Sequence, residues 1–158
     1  MPKENIIWAD ETGIEERMHR TYGRAKRGSR VHSNISGKRI PRTTLISGYS
    51  QGVLKSPMVF KGYTDTNAFI TWIEKCLLKE LEERHVLIID NASFHKSPRV
   101  RELIESKGAR LIYQPKYSPD LNKSEPQWAN LKRSIRSDNS DIPFHKKLDK
   151  HILRMCAY

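Results

Sequence analysis

Cysteine is nearly missing from this chain: Cys76 and Cys156 are its only two in 158 residues. Two thiols cannot build a disulfide framework, and no Cys-x-x-Cys or His-x-x-x-His pair offers zinc ligands. Long hydrophobic runs are missing too. No segment approaches the roughly 20 apolar residues of a membrane span. The opening MPKENIIW carries neither the apolar stretch nor the cleavage site of a signal peptide. The cysteines are therefore expected as free thiols in a reducing compartment, the cytoplasm, and no membrane partner is expected. Acidic residues are absent from one long stretch, Arg17 to Arg42, RMHRTYGRAKRGSRVHSNISGKRIPR.

That stretch is instead densely basic. The chain has 29 Lys and Arg against 18 acids, a net charge of +11, and a pI near 9.8. Nine of those cations lie between Arg17 and Arg42. A solvated loop would be the bland explanation. Concentration of this kind is more often the footprint of a phosphate backbone. Arg24, Lys26, Arg27, Arg30, Lys38, Arg39 and Arg42 are accordingly expected to bind DNA, which places the protein with the nucleoid.

The length suits a single domain, 1–158, with enough buried surface for a core. Ile6–Ala9 reads as a short strand ending in Asp10 and Glu11. Thr43–Tyr49 and Val53–Phe60 read as a hairpin, with Pro57 weakening one edge. Thr66 is expected to cap a helix over 67–84, because Phe69, Ile73, Leu77 and Leu81 recur every four residues. Val86–Ile89 is a strand. Ser97-Pro98 starts a helix, and Gly108 stops it. Arg110–Tyr113 is a further strand. The turn-rich QPKYSPDLNKS leads to a helix holding Trp128 and Leu131, and Phe144, Leu148 and Ile152 mark a last one. Three strands followed by alternating helix and strand predict a mixed α/β sheet covered by helices.

Asp10 and Asp90 each close an apolar strand. An acid there can simply begin a turn. If the strands are parallel neighbours, the two side chains converge. A third acid, Glu125, opens a helix, where Asn122-x-x-Glu125 also fits a capping box. Two charges 4 Å apart repel by about 4 kcal/mol at an effective dielectric near 20. Convergent carboxylates therefore require a proton or a cation between them. Oxygen ligands favour Mg²⁺ or Mn²⁺, and a pair of such ions suits phosphoryl displacement.

DNASFHKS around Asp90 and YQPKYSPDLNKSEPQWANLK around Glu125 resemble the catalytic core of mariner-type DDE transposases, in their bacterial insertion-sequence branch. The 34 residues between Asp90 and Glu125 fit that superfamily's spacing. ADE at 9–11 is similar to its first acidic strand, and YGRAKRGSRV to the basic stretch that follows. The likeness covers nearly the whole chain. It implies a ribonuclease H-like fold, a mixed five-stranded sheet with helices on both faces. It implies that Asp10, Asp90 and Glu125 are catalytic and hold two divalent ions, Mg²⁺ or Mn²⁺, with Asp10 bridging them. Water would cut a phosphodiester at the element's end, and the freed 3′-hydroxyl would attack target DNA. Glu11 is the weaker ligand candidate, since its side chain points to the opposite face of the strand. Asn91 and His95 are expected to support the site or touch DNA. Tyr117, Pro119 and Asp120 shape the turn before Glu125. Trp128 is expected in the core.

The sequence departs from the family at two places. Lys123-Ser124 follow Asn122 where relatives carry proline, and proline comes after the acid, as Pro126. With Asn122 as cap, Pro126 would forfeit the first intrahelical bond, so the helix start is expected to shift to Ser124. Relatives also carry upstream helix-turn-helix modules, expected to be absent here. That makes the chain either a second reading frame, partnered by an upstream product, or a remnant. A homodimer is expected from the need to join two ends. An inert DNA-binding remnant and another ribonuclease H-like nuclease are the competing readings.

Overall fold

The computed structural model describes residues 2, 5–16, 24–30, 42–115 and 122–156. Among these, the strands are β1 (Ile6–Ile14), β2 (Thr43–Ser50), β3 (Val53–Lys61), β4 (Val86–Ile89) and β5 (Arg110–Tyr113). The helices are α1 (Thr66–Lys75), α2 (Pro98–Glu105), α3 (Glu125–Ser137) and α4 (Phe144–Met155). The five strands form one sheet in the order β3-β2-β1-β4-β5. β1, β2 and β3 are antiparallel neighbours, whereas β1, β4 and β5 run parallel.

The hairpin between β2 and β3 closes over Gln51 and Gly52, with φ of 51° and 90°. Two positive φ values in a two-residue loop match the native twist of paired strands. Pro57 sits on the outer strand β3, where the ladder slips between Ile46 and Gly48 and Ser56 takes a φ of 51°. An outer strand and a bulge are where a residue without N–H is tolerated.

Both faces of the sheet are covered. One side packs Ile7, Ala9, Ile46, Leu87 and Ile89 against α1 and α2, through Phe69, Trp72, Ile73, Val100 and Ile104. The other packs Ile14, Leu45 and Leu54 against α3 and α4, through Trp128, Leu131, Ile135, Leu148 and Ile152. This explains why β2 is buried at nearly every position: a strand covered on both faces loses its polar alternation. Each large apolar side chain so buried contributes about 1.5–3 kcal/mol. Trp72 is wholly buried, and its indole N–H donates to the Ser56 carbonyl at 2.6 Å.

Two local expectations are corrected. Asp65, not Thr66, caps α1, its Oδ1 accepting the Ala68 N–H at 2.7 Å. The helix also stops at Lys75 instead of running to 84, and a 3₁₀ turn, Leu77–Lys79, replaces its tail. The Lys79 and Glu80 N–H groups bond carbonyls three residues back, which tightens the chain. Leu77 and Leu81 are still buried. The apolar spacing predicted the burial correctly but not the conformation. α2 starts at Pro98 after Ser97, and Gly108 ends the turn beyond it with a φ of +72°. A β-carbon at Gly108 would also come within 2.9 Å of the Glu83 side chain.

Candidate active site

β1 and β4 are adjacent and parallel, and Ala9 opposite Ile89 is the last pair of their ladder. Asp10 and Asp90 are the next residues on each strand. Asp90 does end its strand, but Asp10 does not. β1 continues to Ile14, because β2 still pairs with it, Asp10 opposite Ser47. Asp10 therefore lies within a supported strand at the level where its parallel neighbour stops. Positions just beyond the carboxyl ends of parallel strands are where such sheets place their ligands.

Two donors converge on Asp10 Oδ2, Asn122 Nδ2 at 2.8 Å and Trp128 Nε1 at 3.0 Å, and Ser124 Oγ stands 3.3 Å from the same oxygen. Oδ1 accepts the Glu11 N–H at 2.8 Å. Burial raises the Asp10 carboxyl above its usual range, and the Glu11 charge adds to this. The donors from Trp128, Asn122 and the Glu11 amide work against it. The capping box is not formed: Asn122 Oδ1 takes the Ser124 N–H at 3.0 Å and the Ser124 hydroxyl. As the proline position demanded, Ser124 is the N-cap, and Pro126 falls at the second helical residue. Trp128 is in the core, but its N–H also serves the site, which sequence reasoning missed.

Asp90 is held differently. Its Oδ1 accepts the Ala92 N–H at 2.9 Å and lies 2.5 Å from His95 Nδ1. His95 is wholly buried, and its Nε2 faces Glu11 Oε2 at 3.5 Å. Burial alone would push the imidazole down; the Asp90 and Glu11 carboxylates outweigh it and raise His95 to about 9. Burial likewise works to raise Asp90, but the His95 and Ala92 bonds hold it below the usual carboxylate range. Glu11 thus engages His95 across from Asp10's partners, in keeping with strand alternation.

Asp10, Asp90, Asn91 and Glu125 all line one open cleft of about 960 Å³. Glu125 is the first residue of α3 and is exposed. Lys132, Arg133 and Arg136 of α3 line the same cleft. Burial lowers the Lys132 ammonium, and the nearby Arg136 and Arg42 charges lower it further. Arg42 is half-buried, its guanidinium 4.9 Å from the Tyr63 ring centre. It lies over Gly13, where a β-carbon would collide with its guanidinium. Arg24, Lys26, Arg27 and Arg30 are exposed. Lys38, Arg39, Tyr117, Pro119 and Asp120 lie outside the described residues. The cleft cations of α3 were not anticipated, although Lys-Arg-x-x-Arg on one helix was a visible signal.

The candidate ligands are all oxygens, which suits a small hard cation. Among the described residues, no three acids, histidines or cysteines are gathered closely enough to hold a metal ion. What the fold provides is a cleft lined by Asp10, Glu11, Asp90 and Glu125 together with the cations of α3, with Asp10 and Asp90 held by N–H donors.

A mixed sheet with an acidic cleft at the end of its parallel strands, covered by helices on both faces, defines a ribonuclease H-like domain. The chain belongs to the family described as DDE superfamily endonuclease, whose model matches residues 5–149. It is 32% identical over 83 residues to the transposable element Tc1 transposase of Caenorhabditis elegans, covering 51% of this chain and 30% of that protein. Among solved structures it is similar to the Mos1 mariner paired end complex with Mn, at 20% identity and a TM-score of 0.75, over 96% of this chain and 48% of that one. A pre-cleavage Mos1 transpososome gives 16% identity and a TM-score of 0.70, over 98% and 57%. The Mos1 catalytic domain alone gives 16% and 0.59, over 98% and 84%. The chain spans less than a third of the Tc1 protein and about half of the full Mos1 chains. The likeness is to a mariner-type DDE transposase catalytic domain.

Proposed function

We propose that this chain is the catalytic domain of a DNA transposase that cuts phosphodiesters at element ends and joins the freed 3′ ends to target DNA. The observation that carries the reading is the aligned pair Asp10 and Asp90 on adjacent parallel strands, sharing one cleft with Glu125. In cleavage, a water oxygen attacks phosphorus and the P–O3′ bond breaks, leaving a 3′-hydroxyl and a 5′-phosphate. In joining, that hydroxyl attacks a target phosphodiester and displaces another 3′ oxygen. Asp10, Asp90 and Glu125 would hold the divalent ions, Mg²⁺ or Mn²⁺; Mos1 paired end complexes with Mn and with Mg support this. Such ions, when bound, activate the attacking oxygen and stabilise the leaving one.

The chain's other residues bind and orient. His95 and the Ala92 amide fix Asp90, and Asn91 stands beside it on the cleft wall. Lys132, Arg133 and Arg136 would take DNA phosphates, whose negative charge would offset the Arg136 and Arg42 cations that, after burial, lower Lys132. Arg42 stands near them, and Arg24, Lys26, Arg27 and Arg30 are open to solvent and able to track more backbone. Lys38, Arg39, Tyr117 and Asp120 keep the roles proposed from sequence. The paired-end assemblies of Mos1 support a homodimer joining two ends. An upstream reading-frame product with helix-turn-helix modules would supply end recognition.

The test is nicking of supercoiled plasmid with Mn²⁺. Wild type is expected to nick and Asp90→Ala to lose the activity while staying folded. Equal background in both would favour an inert DNA-binding remnant, a reading with one observation behind it: Asp10 Oδ2 is already surrounded by protein donors.

A further inference from the structure

Helix α3 begins without a side-chain cap. Ser124 makes no capping bond, and Pro126 contributes no N–H. Locally, the first turn, which carries Glu125, is held by the bonds of Asn122 Oδ1 to Ser124 and by the Ser124 carbonyl, which accepts from Gln127 and Trp128. A second hold comes from far along the chain: the Trp128 indole N–H, 118 residues from Asp10, and the Asn122 amide, 112 residues from it, both donate to Asp10 Oδ2.

Protons and lone pairs here are few enough to assign. The Ser124 hydroxyl has one hydrogen and two candidate acceptors, Asn122 Oδ1 and Asp10 Oδ2. It goes to Asn122, much the nearer, leaving a long 3.3 Å contact to Asp10. Asn122 is thereby oriented: its oxygen faces Ser124 and its NH₂ faces Asp10. An Asp oxygen has about two lone-pair directions, and Oδ2 fills them with Asn122 and Trp128. The indole ring itself is rooted among Ile14, Leu45 and Leu131 and is only 5% exposed. Trp128 and Glu125 lie three residues apart, on one face of the helix.

We infer that Trp128 and Asn122 are positioning residues: they tether the start of α3 to Asp10, and so set where Glu125 stands relative to the two aspartates. The tether orients Asp10 as well, since the two donors fix its carboxylate plane and leave the second lone pair of Oδ1 open. The bearing on catalysis rests on the proposed roles of Asp10 and Glu125. Groups that orient a metal ligand from behind typically alter metal affinity 10–100-fold when removed.

Two measurements on the metal-free protein decide it. The Trp128 indole N–H, assigned by its loss in Trp128→Phe, is expected to give a nuclear magnetic resonance signal that moves in Asp10→Ala while the signal of Trp72, packed on the other side of the sheet, stays. Amide hydrogen exchange over 122–129 is expected to quicken about tenfold in Trp128→Phe, with α4 unchanged. Asp10→Ala leaves the ring in place and is expected to produce the same local quickening. An indole signal indifferent to Asp10→Ala would overturn the tether. So would exchange that is unchanged, or that rises equally through α3 and α4, since the latter reports weakened packing. Because no metal is added, the result stands apart from the plasmid assay.

Discussion

His95 Nδ1 lies 2.5 Å from Asp90 Oδ1, with none of the imidazole open to solvent. The ring is packed edgewise by Phe94 and tilted against Phe69, each with centroids 4.2 Å away. It is at once a core side chain and the support of a cleft carboxylate.

Removing it should therefore cost more than a surface ion pair. His95→Ala opens a void beside two aromatic rings and strips Asp90 of its principal donor. The expected loss is about 2–4 kcal/mol in urea unfolding. A change within about 0.5 kcal/mol would mean that the ring is not held as described.

The same pairing makes stability depend on pH. His95 is raised to about 9 in the folded chain, above its ordinary 6.5. The folded state therefore favours the protonated ring. Its contribution is complete below pH 6.5 and is lost as pH rises through 9. The full effect is on the order of 3 kcal/mol. Urea midpoints for the metal-free protein should fall across this window, and His95→Gln should flatten the fall.

Glu125 should behave in the opposite way. It is exposed and makes no structural bond comparable to that of Asp90. Glu125→Gln is expected to shift stability by no more than about 0.5 kcal/mol, yet to reduce Mn²⁺-dependent plasmid nicking by at least about a hundredfold. Thermal melting and nicking on one preparation check both halves.

The cations of α3 should be read through salt. Lys132→Ala with Arg136→Ala is expected to weaken DNA binding uniformly across sequences. The log–log salt slope should become shallower by about 0.9 for each phosphate left without its cation. Binding isotherms at several salt concentrations measure it; an unchanged slope would move the DNA path elsewhere.

Much of this was legible in the residues, for reasons that differ from place to place. Arg110–Tyr113 was bounded by Gly108 and by Gln114-Pro115, so its ends were marked by chemistry. Asp90 was marked by the abrupt end of Val86–Ile89. The tail of α1 was not legible, because Leu77 and Leu81 face the core equally well from a 3₁₀ turn. Asp10 reads as a strand's end because the apolar run Ile6–Ala9 stops there; the pairing with β2 that carries β1 on to Ile14 is a tertiary fact. The bond from Trp128 to Asp10 joins residues 118 apart, and no local pattern announces it. A tryptophan three residues after Glu125 could equally have been plain packing.

Pro57 and the left-handed Ser56 also restrict how copies of this domain can assemble. They interrupt the outer rim of β3, so a second molecule cannot extend the sheet there by an unbroken ladder. The opposite rim, β5, is four residues long. Two such domains brought together would meet through helices or loops, because among the described residues neither rim of the sheet offers a long unbroken edge along which a crowded array could polymerise.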